Sequence, residues 1–520
     1  MFPAINHKSL RATLLPSEHK SYCQFRGIQY ASIPGRFEHS LPVDDWNGET
    51  LDCRQFGPKC PQVSRDVRHF FSVPVEQEML SSIEEDEFEC LNLVVSVPNQ
   101  VLRQPEKRVP VLIYLHGGGH AYTMANIEQG LTDPTDVIET SLRMKSPLIM
   151  VHVAYRLNIF GYGVYNNESN FGFHDQKRAI EWVRKHISDF GGDPDQIVLH
   201  GESAGAIAVH AHIHGPSPTP GIKRAILQSG SLYLTPPAPQ AVGEAVMQKL
   251  TTLTNTDDLK KLPVDKLLTG LGKLGFQNWW LHNEQSFQRG TGNMDWPISD
   301  CTELEAIMVG DCQWESRGFE PRIAAHGLQT LRAMFLKCSP VGSEITKLYG
   351  IDFSSMEAAM PRVSAFINDI KFAFGTHEIY ETERKLGKRK CYRYVMDQVN
   401  PWNKGAGAHH AIDLLFLFGG PFKYSHDEPA QKISIAMREN WVSFIYGRDP
   451  WEQSTAYAFG PDGGHGPIKP EELAARRRIS RLEKLREIGW ARCQLLVAML
   501  MGARGIVEEA YQAEDHNESQ

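Results

Sequence analysis

The chain has 520 residues, 41% of them hydrophobic and 22% charged, with 62 acidic against 54 basic side chains for a formal charge of −8. That length suits one large enzyme domain or two to four domains of roughly 100–200 residues each, and the composition is that of a globular protein. The mild acidic excess argues against nucleic acid or an anionic membrane surface as a partner.

The opening stretch MFPAINHKSLRATLLPSEHK has no apolar core of the kind a secretory signal needs. No window approaches the ~20 continuous apolar residues of a membrane-spanning helix. The expected location is therefore cytoplasmic, where the sequons at Asn167 and Asn517 stay idle. Nine cysteines are too few for a disulfide scaffold, and their odd number leaves at least one thiol unpaired within the chain.

In chain order, the first buried-strand signal is VPVLIYLHGG at 109–118, followed by PLIMVHVAYR at 147–156, QIVLHG at 196–201 and RAILQSG at 224–230. AIMVGD at 306–311 and CYRYVMD at 391–397 continue the series. These runs are nearly all apolar, without alternation, which predicts strands covered on both faces in a mostly parallel sheet. Between the second and third, DQKRAIEWVRKHISDF places Ala179, Ile180, Val183 and Ile187 three or four apart, on one face of a helix. Strands alternating with helices predict an open α/β sheet.

From 231 to 305 the texture changes: LTPPAPQ, a helical AVGEAVMQKLTTL, then the aromatic and amide-rich LGFQNWWLHNEQSFQRGTGNMDW. With no repeat or linker in sight, the expectation is one domain over 1–520 carrying a pocket-forming insertion at 231–305.

Two glycine-rich turns carry chemistry. LHGESAG at 199–205 is a G-x-S-x-G pattern centred on Ser203, with a strand before it and small helix-forming residues after it. Such a turn thrusts a serine hydroxyl beyond the sheet edge, and Gly201 and Gly205 must be small for the backbone to close around it. Upstream, YLHGGGH at 114–120 leaves a strand through consecutive glycines. Their amides, those of Gly118 and Gly119, together with that of Ala204, are candidate donors for an oxyanion hole.

The sequence resembles the type-B carboxylesterases, the family of cholinesterases and fungal lipases. The resemblance rests on FGGDPDQIVLHGESAG (190–205), YRLNIFGY (155–162), FGFHDQKRAIEWV (171–183), AILQSG (225–230), FGPKCPQ (56–62), FRGIQYASIPG near the N-terminus and WVSFIYGRDP (441–450). It implies an α/β-hydrolase fold and ester hydrolysis without a cofactor or metal, on a small-molecule ester. It also supplies the other members of a triad. Position in the chain leaves Asp295, Asp300, Asp311 and Glu315 open as the acid; the family spacing of an acid five residues after a glycine selects Glu315, after Gly310. The family pattern G-x-x-H-x-x-acid, matched by Gly407, His410 and Asp413, selects His410 over His409 as the base. Glu202 matches an acid that stands near the catalytic histidine in relatives.

Departures from the family pattern are as informative. His120 follows the glycines where an aromatic residue is usual, and is taken with Trp279 and Trp280 as a candidate pocket residue, although both tryptophans suit a packed lid equally well. Phe88 stands where an acid pairs with the arginine at Arg36, which puts that ion pair in doubt, whereas Arg156 and Asp175 match a structural pair. Between Cys60 and Cys90, cysteines that secreted relatives join, lie Phe70 and Phe71 but no tryptophan, so a choline ester is not the expected substrate. Reduced thiols are expected at both cysteines.

The run HAHIH (210–214) could bring only His210 and His214 together on a helix, so no metal is expected. Arg476–Arg478 reads as the solvated face of a C-terminal helix. Two other functions compete with ester hydrolysis: acyl transfer, thioester cleavage or cyclisation with the same residues, and a non-catalytic interaction role on the same fold. The second sits badly with the retained serine, acid, histidine and glycines.

Overall fold

The computed structural model describes residues 5–65, 71, 73, 83–215, 217–275, 278–284, 296–299, 303–420 and 426–502. Phe70, Asp295, Asp300 and Asn517 lie outside them. At its centre is a 13-stranded sheet. Its first half is built from β1 (Tyr22–Gln29), β2 (Asn92–Pro98), β3 (Val109–Leu115), β4 (Ile149–Val153) and β5 (Gly192–Glu202). The second half comprises β6 (Ile222–Gln228), β7 (Ala306–Cys312), β8 (Lys390–Met396), β9 (Ala456–Phe459) and β10 (His465–Ile468).

In space these strands run β1-β2-β4-β3-β5-β6-β7-β8-β9-β10, with three further N-terminal strands beyond β1. From β4 through β9 every neighbouring pair is parallel; β1, β2 and β10 join the edges antiparallel.

The lack of alternation in the strand sequences has a direct cause. Along β3, Val111, Ile113 and Leu115 enter one hydrophobic core, while Leu112 and Tyr114 enter another on the opposite face. Helix α1 (Phe171–His186) closes the first core with Ala179, Ile180 and Val183. The later helix Glu428–Ile445 closes the second with Ile433, Met437 and Trp441. Each fully buried Val, Ile, Leu or Met among them contributes about 1.5–3 kcal/mol relative to exposure.

The Arg156–Asp175 pair forms as expected, bidentate at 2.7 and 2.8 Å and fully buried. The doubt over Arg36 is corrected: its guanidinium grips Glu87 at 2.6 and 2.8 Å and donates to the carbonyls of Leu259 and Leu262. The acid sits one residue earlier than the family spacing suggests. Asp86 Oδ1 accepts from the amides of Phe88 and Glu89, and this Asx turn swings Glu87 inward and leaves Phe88 exposed. Cys60 and Cys90 are buried free thiols in contact, and that hydrogen bond, with burial, holds the Cys90 thiol well above its ordinary pKa.

Arg476–Arg478 also requires correction. Arg477 is 1% exposed and bridges Asp311 (2.6 Å) and Asp397 (2.8 Å), while Arg478 pairs with Asp369. Arg476 reaches Asp397 as well as Glu472. The tribasic run is a clamp that ties a C-terminal segment to the ends of β7 and β8, because acids from three different segments converge on it.

Candidate active site

The carboxyl ends of β3, β5, β7 and β8 all open at one edge of the sheet, the place where parallel α/β sheets hold their ligands. The glycine turn leaves β3, Ser203 follows β5, Glu315 lies three residues past β7, and His410 is on the loop after β8.

Ser203 joins β5 to helix α2 (Ala204–Ile213) with φ 55° and ψ −120°, a conformation a side-chain-bearing residue adopts only under constraint. The flanking glycines supply that constraint. A Cβ on Gly201 would come within 2.3 Å of the Gly205 backbone, and one on Gly205 within 2.0 Å of the Leu115 carbonyl. The turn is thus wedged against β3, the strand that delivers the glycine loop. The amino end of α2 faces the serine, where its partial positive charge favours a developing oxyanion.

Within the glycine loop, the carbonyls are occupied. Ala121 and Tyr122 amides donate to the Gly118 carbonyl, and the Trp279 amide donates to that of Gly119 at 2.7 Å. Gly118 has φ 106° and its missing Cβ would meet the Tyr122 carbonyl at 1.9 Å, so no other residue fits.

His120, expected in the pocket, is instead packed within the wall. It is buried, stacked on Tyr162 with ring centroids 4.5 Å apart, and its Nε2 lies 3.1 Å from the Ala204 carbonyl. Burial lowers its pKa to about 4, so the neutral ring donates from Nε2 and ties the glycine loop to α2. Trp279 is likewise a core residue, although it also lines a small pocket with Arg65, Tyr122 and Leu271; Trp280 is only partly buried.

His410 lies between the other two groups. Its Nε2 is 2.9 Å from Ser203 Oγ and its Nδ1 donates to Glu315 Oε2 at 2.5 Å. Glu315 Oε1 accepts from the Cys312 amide at 2.6 Å, which holds the carboxylate in place. The two loops are stitched together by the Trp314 amide on the Ala408 carbonyl, at 2.9 Å. Gly407, at φ 67°, permits that approach: a Cβ there would lie 2.8 Å from the Trp314 ring.

Asp311, the alternative acid, points elsewhere, toward Arg477. His409 packs: its Nδ1 donates to the His410 carbonyl at 2.9 Å and its Nε2 accepts from Asn400 Nδ2 at 2.9 Å. Burial lowers its pKa and keeps it neutral, as that bonding requires.

Glu202 is fully buried with its Oε1 3.3 Å from His410 Nε2. Burial pushes this carboxyl up to about 8, with His410 drawing it partly back. Burial alone would lower the His410 pKa, but the charges of Glu202 and Glu315 outweigh it and raise it. Glu315, with the shorter contact, is the cause that persists when Glu202 takes a proton.

Sequence reasoning missed the second role of Asp413. It is buried beneath the site, accepting from Tyr394 (2.7 Å) and Gln228 (3.0 Å), and Gln228 in turn meets His200. Its three-residue spacing from His410 was the available signal.

The HAHIH run anchors α2 to the segment that follows β6. His210 accepts from the Leu232 amide and donates to the Trp296 carbonyl, His214 donates to that of Pro297, and His212 meets Thr219 and Gln176. Burial lowers His210 and His212 to about 3. Among the described residues no cluster of His, Cys, Asp and Glu has the arrangement of a metal site.

A model of the carboxylesterase family matches residues 10–269 and 324–462. Lipase 3 of Yarrowia lipolytica is 30% identical over 479 residues, 89% of this chain and 92% of its own length. Para-nitrobenzyl esterase of Bacillus subtilis is 25% identical over 455 residues, covering 82% and 86%. Among solved structures, a carboxylesterase of Geobacillus stearothermophilus superposes with a TM-score of 0.72 at 21% identity, over 92% of this chain and all of that one.

Proposed function

Given that this chain belongs to the carboxylesterase family and is a carboxylic ester hydrolase, we propose that it works by double displacement through Ser203, His410 and Glu315. His410 Nε2 takes the hydroxyl proton as Ser203 Oγ attacks the ester carbonyl. The amides of Gly118, Gly119 and Ala204 hold the resulting oxyanion. Collapse expels the alcohol, which receives the proton from His410. Water, deprotonated by the same nitrogen, then attacks the acyl-serine and releases the acid. Glu315 fixes the Nδ1–H tautomer and stabilises the imidazolium throughout. The observation that carries this reading is the single imidazole within hydrogen-bonding distance of both the serine and the buried carboxylate.

The test is a rapid-mixing experiment with a p-nitrophenyl ester. A burst of about one p-nitrophenolate per enzyme, and covalent capture of Ser203 by an organophosphate, are expected. Capture at another residue would refute the assignment.

Glu202 tunes the base in this scheme. Glu202 ionises near pH 8 and His410 is held up to about 9, so the carboxylate is charged where the imidazole titrates and raises its pKa. Glu202→Gln should therefore shift the acid limb of the kcat/KM–pH profile to lower pH. A limb that stays put or moves upward would show that Glu202 does not charge the site.

A further inference from the structure

Helix α3 (Met356–Asn368) does not continue evenly into α4 (Phe374–Leu386): Asp369–Ala373 between them form a π-helical turn. Such turns occur frequently at functional sites. Here the Phe372 ring lies 5.0 Å from the His410 imidazole. The residue before it, Lys371, is 8% exposed, and its Nζ donates to the Leu234 carbonyl at 2.7 Å. Leu234 belongs to the turn that leaves β6, its amide bonded to the Ser231 carbonyl. Next to that turn, Gly230 is pressed against the nucleophile, where a Cβ would come within 2.3 Å of the Ser203 carbonyl. The Lys371 side chain thus ties the π turn whose Phe372 packs on the imidazole to the turn that follows Gly230.

An ammonium has three donors. Among the described residues the Lys371 ammonium has one neutral carbonyl as its hydrogen-bond partner and no carboxylate as a charge partner. Other buried cations of this molecule are treated differently: Arg156 has Asp175, and Arg477 has Asp311 and Asp397. Asp369, in the same π turn, is committed to Arg478 and Tyr349. A buried charge without a counterion is costly, and packing behind Phe372 would need only an apolar side chain. Burial lowers the lysine to about 8, so at neutral pH it still carries its charge.

We propose that Lys371 is a specificity-determining residue that receives an anionic group of the ester substrate, a carboxylate borne by its acyl or its alcohol half. This rests on the Ser203–His410–Glu315 reading given above. The ammonium gains its missing counterion when such a substrate binds, through a charge-assisted hydrogen bond that a neutral ester cannot make.

Two matched pairs of esters test it. p-Nitrophenyl valerate against the mono-p-nitrophenyl ester of glutaric acid places the charge on the acyl half; phenyl butyrate against its 3-carboxyphenyl counterpart places it on the alcohol half. On one arm, Lys371→Met and Lys371→Gln should each lower the anionic-to-neutral ratio of kcat/KM roughly 10- to 100-fold, mainly through KM. An unchanged ratio on both arms, or equal loss for both members of each pair, overturns the proposal. If neither variant folds, competition by glutarate against valerate in the unaltered protein decides the question, and equal inhibition by the two counts against it. Ser203→Ala keeps the two readings apart: persistent turnover of the neutral esters there would sink the triad, whereas a silent Lys371 with an inactive Ser203→Ala sinks only the anion site.

Discussion

Replacing His410 with alanine should lower kcat by roughly 10⁴- to 10⁶-fold, while His409→Ala should cost about tenfold or less. The two side chains are adjacent in sequence but are used in different ways. His410 is the imidazole that meets both Ser203 and Glu315, so in the proposed mechanism its loss removes the proton acceptor and the group that Glu315 orients. His409 reaches no reacting atom. Its Nδ1–H holds the His410 carbonyl while Asn400, itself bonded to the Phe71 carbonyl, holds its Nε2.

His409→Ala therefore loosens the loop that carries the base. Its expected signature is a modest fall in kcat with little change in KM, measured with the same p-nitrophenyl ester. A collapse of activity in His409→Ala with survival in His410→Ala would reverse the assignment.

The largest stability effect is expected at Arg477. Arg477→Met keeps most of the side-chain volume but leaves Asp311 and Asp397 buried without their shared cation, at a cost of about 3–5 kcal/mol. Asp397 retains Arg476, and the Arg393 guanidinium stands 3.9 Å from Asp311, so Asp311 is the more exposed to the loss. Burial already holds the Asp311 pKa above its ordinary value, with Arg477 and Arg393 pulling it back. Without Arg477 it rises further. A carboxyl whose pKa is higher folded than unfolded destabilises the folded state as pH rises above the unfolded value, so the deficit should shrink as pH falls. Denaturant unfolding followed across pH checks the sign. Adding Asp311→Asn to Arg477→Met should recover part of the loss, because it removes the stranded charge; no recovery would point to shape rather than charge.

The strands were legible because burial on both faces writes itself into local composition. VPVLIYL and QIVLHG have no polar alternation, and both are covered on either side. Ser203 was legible for a similar reason: its strained turn requires glycines at fixed offsets, a constraint that leaves a pattern within seven residues. Glu315 and His410 were reachable only through family spacing. Their partnership joins positions 95 apart in the chain, and no local signal distinguishes Glu315 from Asp311 four residues earlier.

Charge partners were the least legible. Arg476–Arg478 reads as a solvated basic run because nothing nearby in sequence announces Asp311, Asp369 or Asp397, and whether a cation is buried depends on acids brought to it by other strands and helices. Glu87 displaced the expected acid by one residue because an Asx turn at Asp86 rotates the chain, which is a backbone decision made in three dimensions. His120 reads as a pocket residue in sequence, but the Ala204 carbonyl and the Tyr162 ring hold it in the wall.

By itself, then, the sequence determined the sheet, its two-sided burial and the serine turn, since each depends on side-chain size and polarity within a few residues. Which acid meets which base, which histidine of the pair faces the serine, and which cations are buried were decided only by tertiary structure, because hydrogen bonds and ion pairs act over about 3–4 Å and the chain must fold before those distances exist.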